Sequence, residues 1–120
     1  MWVYRQHTGF LFNDAGDMVA VGYSGAGEGK NNPAMQGIRS VGPIPRGLWV
    51  IGEAYNSKRI GPLALPLYEH LHNALERTFF LIHGDSISNP GNASLGCLIF
   101  SRKVREAIIA SNDRLLKVIE

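Results

Sequence analysis

Short apolar runs, each closed by a turn signal, are the feature that most constrains how this chain folds. Trp2 to His7 alternates roughly between apolar and polar residues, and Gly9 to Phe12 follows a His-Thr-Gly turn. Asn13-Asp14-Ala15-Gly16-Asp17 then turns the chain into Met18 to Tyr23. Gly47 to Tyr55 reads as a further strand and Asn56 to Pro62 as a turn. Leu63 to Leu67 is short and apolar around Pro66, which predicts an edge strand, because proline has no amide to give to a ladder. Thr78 to His83 is a continuous, aromatic-rich apolar run that predicts a strand buried on both faces, and Cys97 to Phe100 predicts a second one. Fourteen glycines and six prolines in 120 residues agree with many turns and several short strands.

Helical signals are few. Glu69 to Arg77 predicts one or two helical turns with Leu71 and Leu75 four apart. Ser101 is suited to cap a helix over Arg102 to Ala110, with Val104, Ile108 and Ala107 facing inward. Leu115 to Ile119 reads as a closing strand. The expected class is mainly β (a β-rich α+β fold) with one C-terminal helix. One domain is expected over 1–120, since a second autonomous core would be too small.

Several function classes are disfavoured. A formal charge of +2, with Lys and Arg scattered along the chain, gives no basis for nucleic-acid binding. A mildly basic surface does suit an anionic polymer such as a bacterial cell wall. One cysteine allows neither an intramolecular disulfide nor a thiolate zinc cage. His70 and His72 form a His-x-His pair that no carboxylate cluster completes, so no metal is expected. No apolar run approaches the roughly 20 residues of a membrane-spanning helix, so no membrane insertion is expected. The N-terminal MWVYRQHTGF lacks the basic and apolar regions of a Sec signal peptide, which predicts synthesis in the cytoplasm.

The segment LIHGDSISNPGNASLGCLIF, residues 81–100, holds the single cysteine, Cys97, fourteen positions after His83. A thiol attacks a carbonyl as its thiolate, and imidazole is the usual base that generates it. The oxyanion that forms needs backbone donors. Ser94-Leu95-Gly96-Cys97 fits that need, because Gly96 permits unusual backbone conformations and the amides around Gly96 and Cys97 are expected to converge on one oxygen. His83, at the tip of a buried strand and before Gly84, would sit on a stiff support. The alternative stays open on these residues alone: cysteine is among the most buried residue types, and Cys97-Leu98-Ile99-Phe100 reads equally as a core strand.

The His-Gly at a strand end, followed by a loop and Ser-x-Gly-Cys, resembles the catalytic motif of the L,D-transpeptidase (YkuD-like) family. The closest resemblance is to its small branch of type VI secretion effectors. GYSGAGEGKNNP at 22–33, GPIPRGLW at 42–49, IHGD at 82–85 and ASLGC at 93–97 carry it, in that order. The family's usual motif has a His where this chain has Leu95. The resemblance implies a β-sandwich or barrel, with Cys97 as nucleophile, His83 as base, and Ser94 and Gly96 beside them. It implies peptidoglycan stem peptides as substrate, cleaved between diaminopimelate and D-alanine, with no cofactor. The acyl group would go to water, to a free D-amino acid, or to the amine of another stem. It further implies an antibacterial toxin delivered to the periplasm of a target bacterium, with a secretion-machine component and a cognate immunity protein as partners.

Tyr23, Ser24 and Gly25 open the long Gly/Asn loop and are expected to line the cleft. Lys30, Asn31 and Asn32 are expected to meet substrate carboxylates or amides, and Asp85 and Leu95 complete the candidate substrate contacts. Asp85 is also a candidate to orient the His83 ring. Each of these also reads as an ordinary turn or loop residue. Two other functions fit the same residues: a cysteine amidase or peptidase acting elsewhere, and a catalytically inactive wall-binding or immunity-type module.

Overall fold

The computed structural model describes all residues, Met1–Glu120. Ten strands and one helix follow in the order β1 (Trp2–Arg5), β2 (Phe10–Phe12), β3 (Met18–Val21), β4 (Tyr23–Ser24), β5 (Gly47–Ile51), β6 (Tyr55–Ser57), β7 (Gly61–His70), β8 (Phe80–His83), β9 (Leu98–Ile99), α1 (Arg102–Ser111) and β10 (Leu115–Ile119). The strands run β3-β2-β1-β10-β5-β7-β8-β9-β4 across one sheet, with β6 pairing onto β7. Only β1 with β10 and β8 with β9 are parallel. The fold is mainly β with one helix, a nearly closed barrel-like sheet, as the turn density predicts.

Near-closure follows from one residue. β3 and β4 lie at opposite ends of the strand order, yet only Gly22 separates them. Its amide donates to the Gly9 carbonyl at 2.8 Å, and a Cβ there would come within 2.1 Å of the Ile99 carbonyl oxygen. Met18 to Tyr23 is therefore two strands on opposite edges, where the sequence reads as one. The core inside the curl is built on Trp49, Tyr4, Leu11, Leu65, Ile82, Leu98 and Leu116, all buried. Ile108 and Val104 of α1 pack against it, and Ser101 caps the helix by accepting from the Val104 amide.

Four further expectations are corrected. β7 is ten residues long and central rather than a short edge strand. Pro66 is tolerated because it sits just past the end of β5, where only its carbonyl is used, by the Gly52 amide at 2.8 Å. Glu69–Arg77 keeps only one short 3₁₀ turn, Ala74–Glu76: Glu69 and His70 pair with β5, and positive φ at Leu71, Ala74, Leu75 and Glu76 rules out a right-handed α-helix. Leu71 and Leu75 consequently point to solvent, 88% and 52% exposed. Phe80 and Ile82 are buried, whereas Phe79 is 93% exposed, so this strand has one core face and one open face. On α1, Ala107 is exposed and Arg105 takes an inward place, its guanidinium donating to the Pro62 and Leu63 carbonyls at 2.9 and 3.0 Å.

Candidate active site

His83 ends β8 and Cys97 immediately precedes β9. The two strands are parallel, with Ile82 opposite Leu98 and His83 opposite Ile99. Parallel strands in register turn alternate side chains to the same face. Ile82 and Leu98 share the core face, which leaves Leu81, His83 and Cys97 on the other. Those three side chains border one cavity of about 610 Å³.

The His83 ring is fixed by its own backbone. Nδ1 lies 2.9 Å from the Gly84 carbonyl oxygen. A carbonyl only accepts, so Nδ1 carries the proton and Nε2 keeps its lone pair. Burial, and to a lesser degree the Arg105 cation, hold the imidazole pKa below its ordinary value, against the opposing pull of the Gly84 carbonyl. The ring is thus a neutral base at physiological pH. Gly84 leaves room for the Arg105 guanidinium, since a Cβ there would approach Nη2 to 2.8 Å.

Cys97 is half-buried, with Sγ 3.7 Å from the Phe79 carbonyl oxygen. Burial pushes the thiol pKa up, while a hydrogen bond from the Leu81 backbone and the charge of Arg77 pull it down. Neutral thiol and neutral imidazole are therefore the resting pair.

The turn that presents Cys97 is tied to distant parts of the chain by two buried serines. Ser24 Oγ donates to the Gly96 carbonyl at 2.7 Å and accepts from the Ile44 amide at 2.8 Å. Ser94 Oγ donates to the Cys97 carbonyl at 2.7 Å and accepts from the amides of Gly25 and Gly96 at 2.9 and 3.0 Å. The Gly96 amide is thereby occupied and does not join the Cys97 amide on a common oxygen; the Cys97 amide itself has no partner. Gly96 has φ +142°, and a Cβ would come within 2.5 Å of Arg77 Nη2.

Arg77 is the site residue the sequence reading passed over. It is 5% exposed and has no carboxylate partner. Instead it donates to the carbonyls of Gln36, Pro43, Gly42 and Leu95 at 2.6 to 3.2 Å, and its guanidinium lies over the Phe80 ring. It thus clamps the 24–45 loop to the turn that presents Cys97 and places a positive charge near the thiol. A lone arginine before an apolar run carries no local signal of this, since its partners are all backbone atoms far away in sequence.

Of the candidate substrate contacts, Leu95 lines the cavity and is 61% exposed. The others have partners within the protein and lie outside the cavity lining. Tyr23 OH donates to Asp85 Oδ1 at 2.6 Å and accepts from the Ala93 amide at 2.9 Å, with Lys30 Nζ 4.5 Å from its ring centre. Asp85 also accepts from the Ser86 and Gly91 amides, so its carboxylate holds the loop, and it is the Gly84 carbonyl that meets the His83 ring. Asn31 accepts from the Ser24 amide, and Asn32 from the Ala34 amide. His72 has both ring nitrogens engaged, by the Leu48 carbonyl and the Ala74 amide, and no three His, Cys, Asp or Glu side chains converge on one point.

Comparison with curated proteins and with solved structures finds no match. Residues 18–119 match the Tlde1 domain, a span that runs from β3 through β10 and includes His83 and Cys97. The chain therefore belongs to the Tlde1 domain family, a family of antibacterial type VI secretion effectors.

Proposed function

We propose that this protein is a single-domain cysteine acyltransferase acting on peptidoglycan stem peptides, with Cys97 as nucleophile and His83 as general base. One observation carries the reading: His83 and Cys97 sit on adjacent parallel strands and open on one cavity, with the imidazole held in the tautomer that leaves Nε2 free. Membership of a secreted effector family supports an enzymatic toxin that acts in a target cell and has a cognate immunity protein and the secretion machinery as partners.

In the proposed reaction Nε2 of His83 takes the Cys97 proton as Sγ attacks the carbonyl at the L-centre of diaminopimelate. The unpartnered Cys97 amide is the candidate donor to the oxyanion. Collapse breaks the bond to D-alanine, and His83 returns the proton to the departing amine. The thioester then passes to water, giving L,D-carboxypeptidase activity, or to a free D-amino acid, giving exchange. Attack by the amine of a second stem would give a 3–3 cross-link. Acylation and deacylation need only thiol, imidazole and amide donors. Ser94, Ser24, Gly96 and Arg77 act as positioning residues, and Leu95 stands at the mouth where the family's usual motif has a histidine. The site of action is the periplasm, where stem peptides are exposed.

The test is incubation with disaccharide tetrapeptides, with and without D-methionine, read by mass spectrometry. Loss of terminal D-alanine or its replacement by D-methionine is expected, abolished in Cys97→Ala and His83→Ala. Unchanged tetrapeptide with folded wild-type protein would sink the reading, and cleavage of other amides instead would leave a cysteine amidase.

A further inference from the structure

The chain has eight arginines, and six of them are engaged within the protein. Arg46, Arg102 and Arg114 pair with Glu120, Glu106 and Glu53. Arg5 lies over the Phe12 ring. Arg77 and Arg105 spend their donors on backbone carbonyls. Arg39 and Arg59 alone have guanidinium groups with no ion pair, no side-chain hydrogen bond and no aromatic ring beneath them, Arg59 using only its backbone amide, on Ser57. Both border the cavity that holds Cys97 and His83.

That coincidence has a chemical reading. No Asp or Glu borders this cavity, so nothing in its walls neutralises the two cations or competes for them. They arise from separate elements, Arg39 from the 24–45 loop and Arg59 from the turn between β6 and β7. Apolar Phe79, Leu95 and Tyr55 are exposed around the same mouth, 93%, 61% and 45%. Two free guanidinium groups beside an apolar rim suit an extended peptide bearing more than one carboxylate, since arginine meets a carboxylate through two parallel hydrogen bonds.

We propose that Arg39 and Arg59 recognise carboxylates of the peptide that enters this cleft and make it selective for stems whose carboxylates are free over stems in which they are amidated. The inference rests on the proposed stem-peptide reading for the identity of the peptide. The two cations set affinity and leave the chemical step to Cys97 and His83.

The experiment compares the acidic disaccharide tetrapeptide with its carboxamide form. Binding is measured on Cys97→Ala and on Cys97→Ala carrying Arg39→Gln and Arg59→Gln, and turnover on the wild type and the Arg39→Gln, Arg59→Gln variant. Neither guanidinium makes an ion pair or hydrogen bond within the protein, so the variants are expected to unfold at the same temperature as their parents. The acidic peptide should bind the parent at least about tenfold more tightly than the amide, a preference that weakens with salt and disappears in the double substitution. In turnover the double variant should raise KM at least about tenfold with kcat within about threefold. Equal binding of acid and amide by the parent, no measurable binding of the acidic peptide, or an unchanged KM in the variant overturns the proposal. Acid-selective binding without turnover in any protein would retain the carboxylate site and discard the transpeptidase reading. Turnover indifferent to both arginines would do the reverse.

Discussion

The connection from His83 to Cys97 has two parts that both use Gly and Ser but differ in construction. Residues 84–92 are held mostly by short-range, exposed hydrogen bonds, such as Asn89 amide to Ser86 Oγ and Asn92 Nδ2 to Asn89 Oδ1, and Ile87 is fully exposed. Their one long-range tie is Tyr23 on Asp85. Residues 93–97 are held by buried bonds to Ser24 and Gly25 and by a partly buried one to Arg77. Gly and Ser therefore serve, together with Asn, as a span in the first part and, without it, as a socket for the thiol in the second. Geometry at Cys97 depends on the second part, because unsatisfied buried groups cost far more than exposed ones.

That contrast is open to test, beginning where the effect is largest. Gly96→Ala places a Cβ against Arg77 and Phe80 at a backbone conformation L-residues rarely adopt; a loss of about 3–5 kcal/mol and of all activity is expected, read by urea unfolding and muropeptide turnover. Arg77→Met strands the carbonyls of Gln36, Gly42, Pro43 and Leu95. It should cost about 3 kcal/mol, and it should also slow Cys97 alkylation at fixed pH, since its charge no longer favours the thiolate. Ser24→Ala breaks the links to Gly96 and Ile44 and should cost about 2 kcal/mol, with a drop in kcat larger than any change in KM. Asp85→Ala, in the exposed part, should cost no more than about 0.5 kcal/mol and leave kcat within about threefold. A larger effect of Asp85→Ala than of Ser24→Ala would reverse the assignment of span and socket.

Legibility in the sequence followed the range of the interactions. Leu115–Ile119, the Ser101 cap and the β-rich class were readable because period, cap chemistry and turn residues are local signals. Gly22 as a strand break was not, since its need for glycine comes from Ile99, far along the chain. The length of β7 depends on pairing with β5 and β8, which a run around Pro66 does not announce. At the site, His83 and Cys97 were visible as chemistry, and Ser94 and Gly96 as their neighbours. Arg77 and Arg105 stayed hidden because buried arginines with carbonyl partners look like surface charges in a sequence. Arg39 and Arg59 stayed hidden for the opposite reason: only the fold reveals which arginines lack partners.

The protonation of the pair sets its own expectation. The His83 pKa lies below the ordinary imidazole value of about 6.5. The neutral base therefore persists at pH 6.5, and kcat/KM should fall only as pH drops further, through the lowered His83 value, by about tenfold per unit. An acidic limb centred above pH 6.5 would contradict a buried, neutral His83.

The most direct measurement is acid-quenched, intact-mass spectrometry of the protein mixed with disaccharide tetrapeptide, followed by peptide mapping. The account predicts an adduct equal to substrate less D-alanine, mapped to Cys97 as a thioester and lost in His83→Ala. Release of D-alanine by wild type with no adduct on Cys97, or undiminished release by Cys97→Ala, would contradict it.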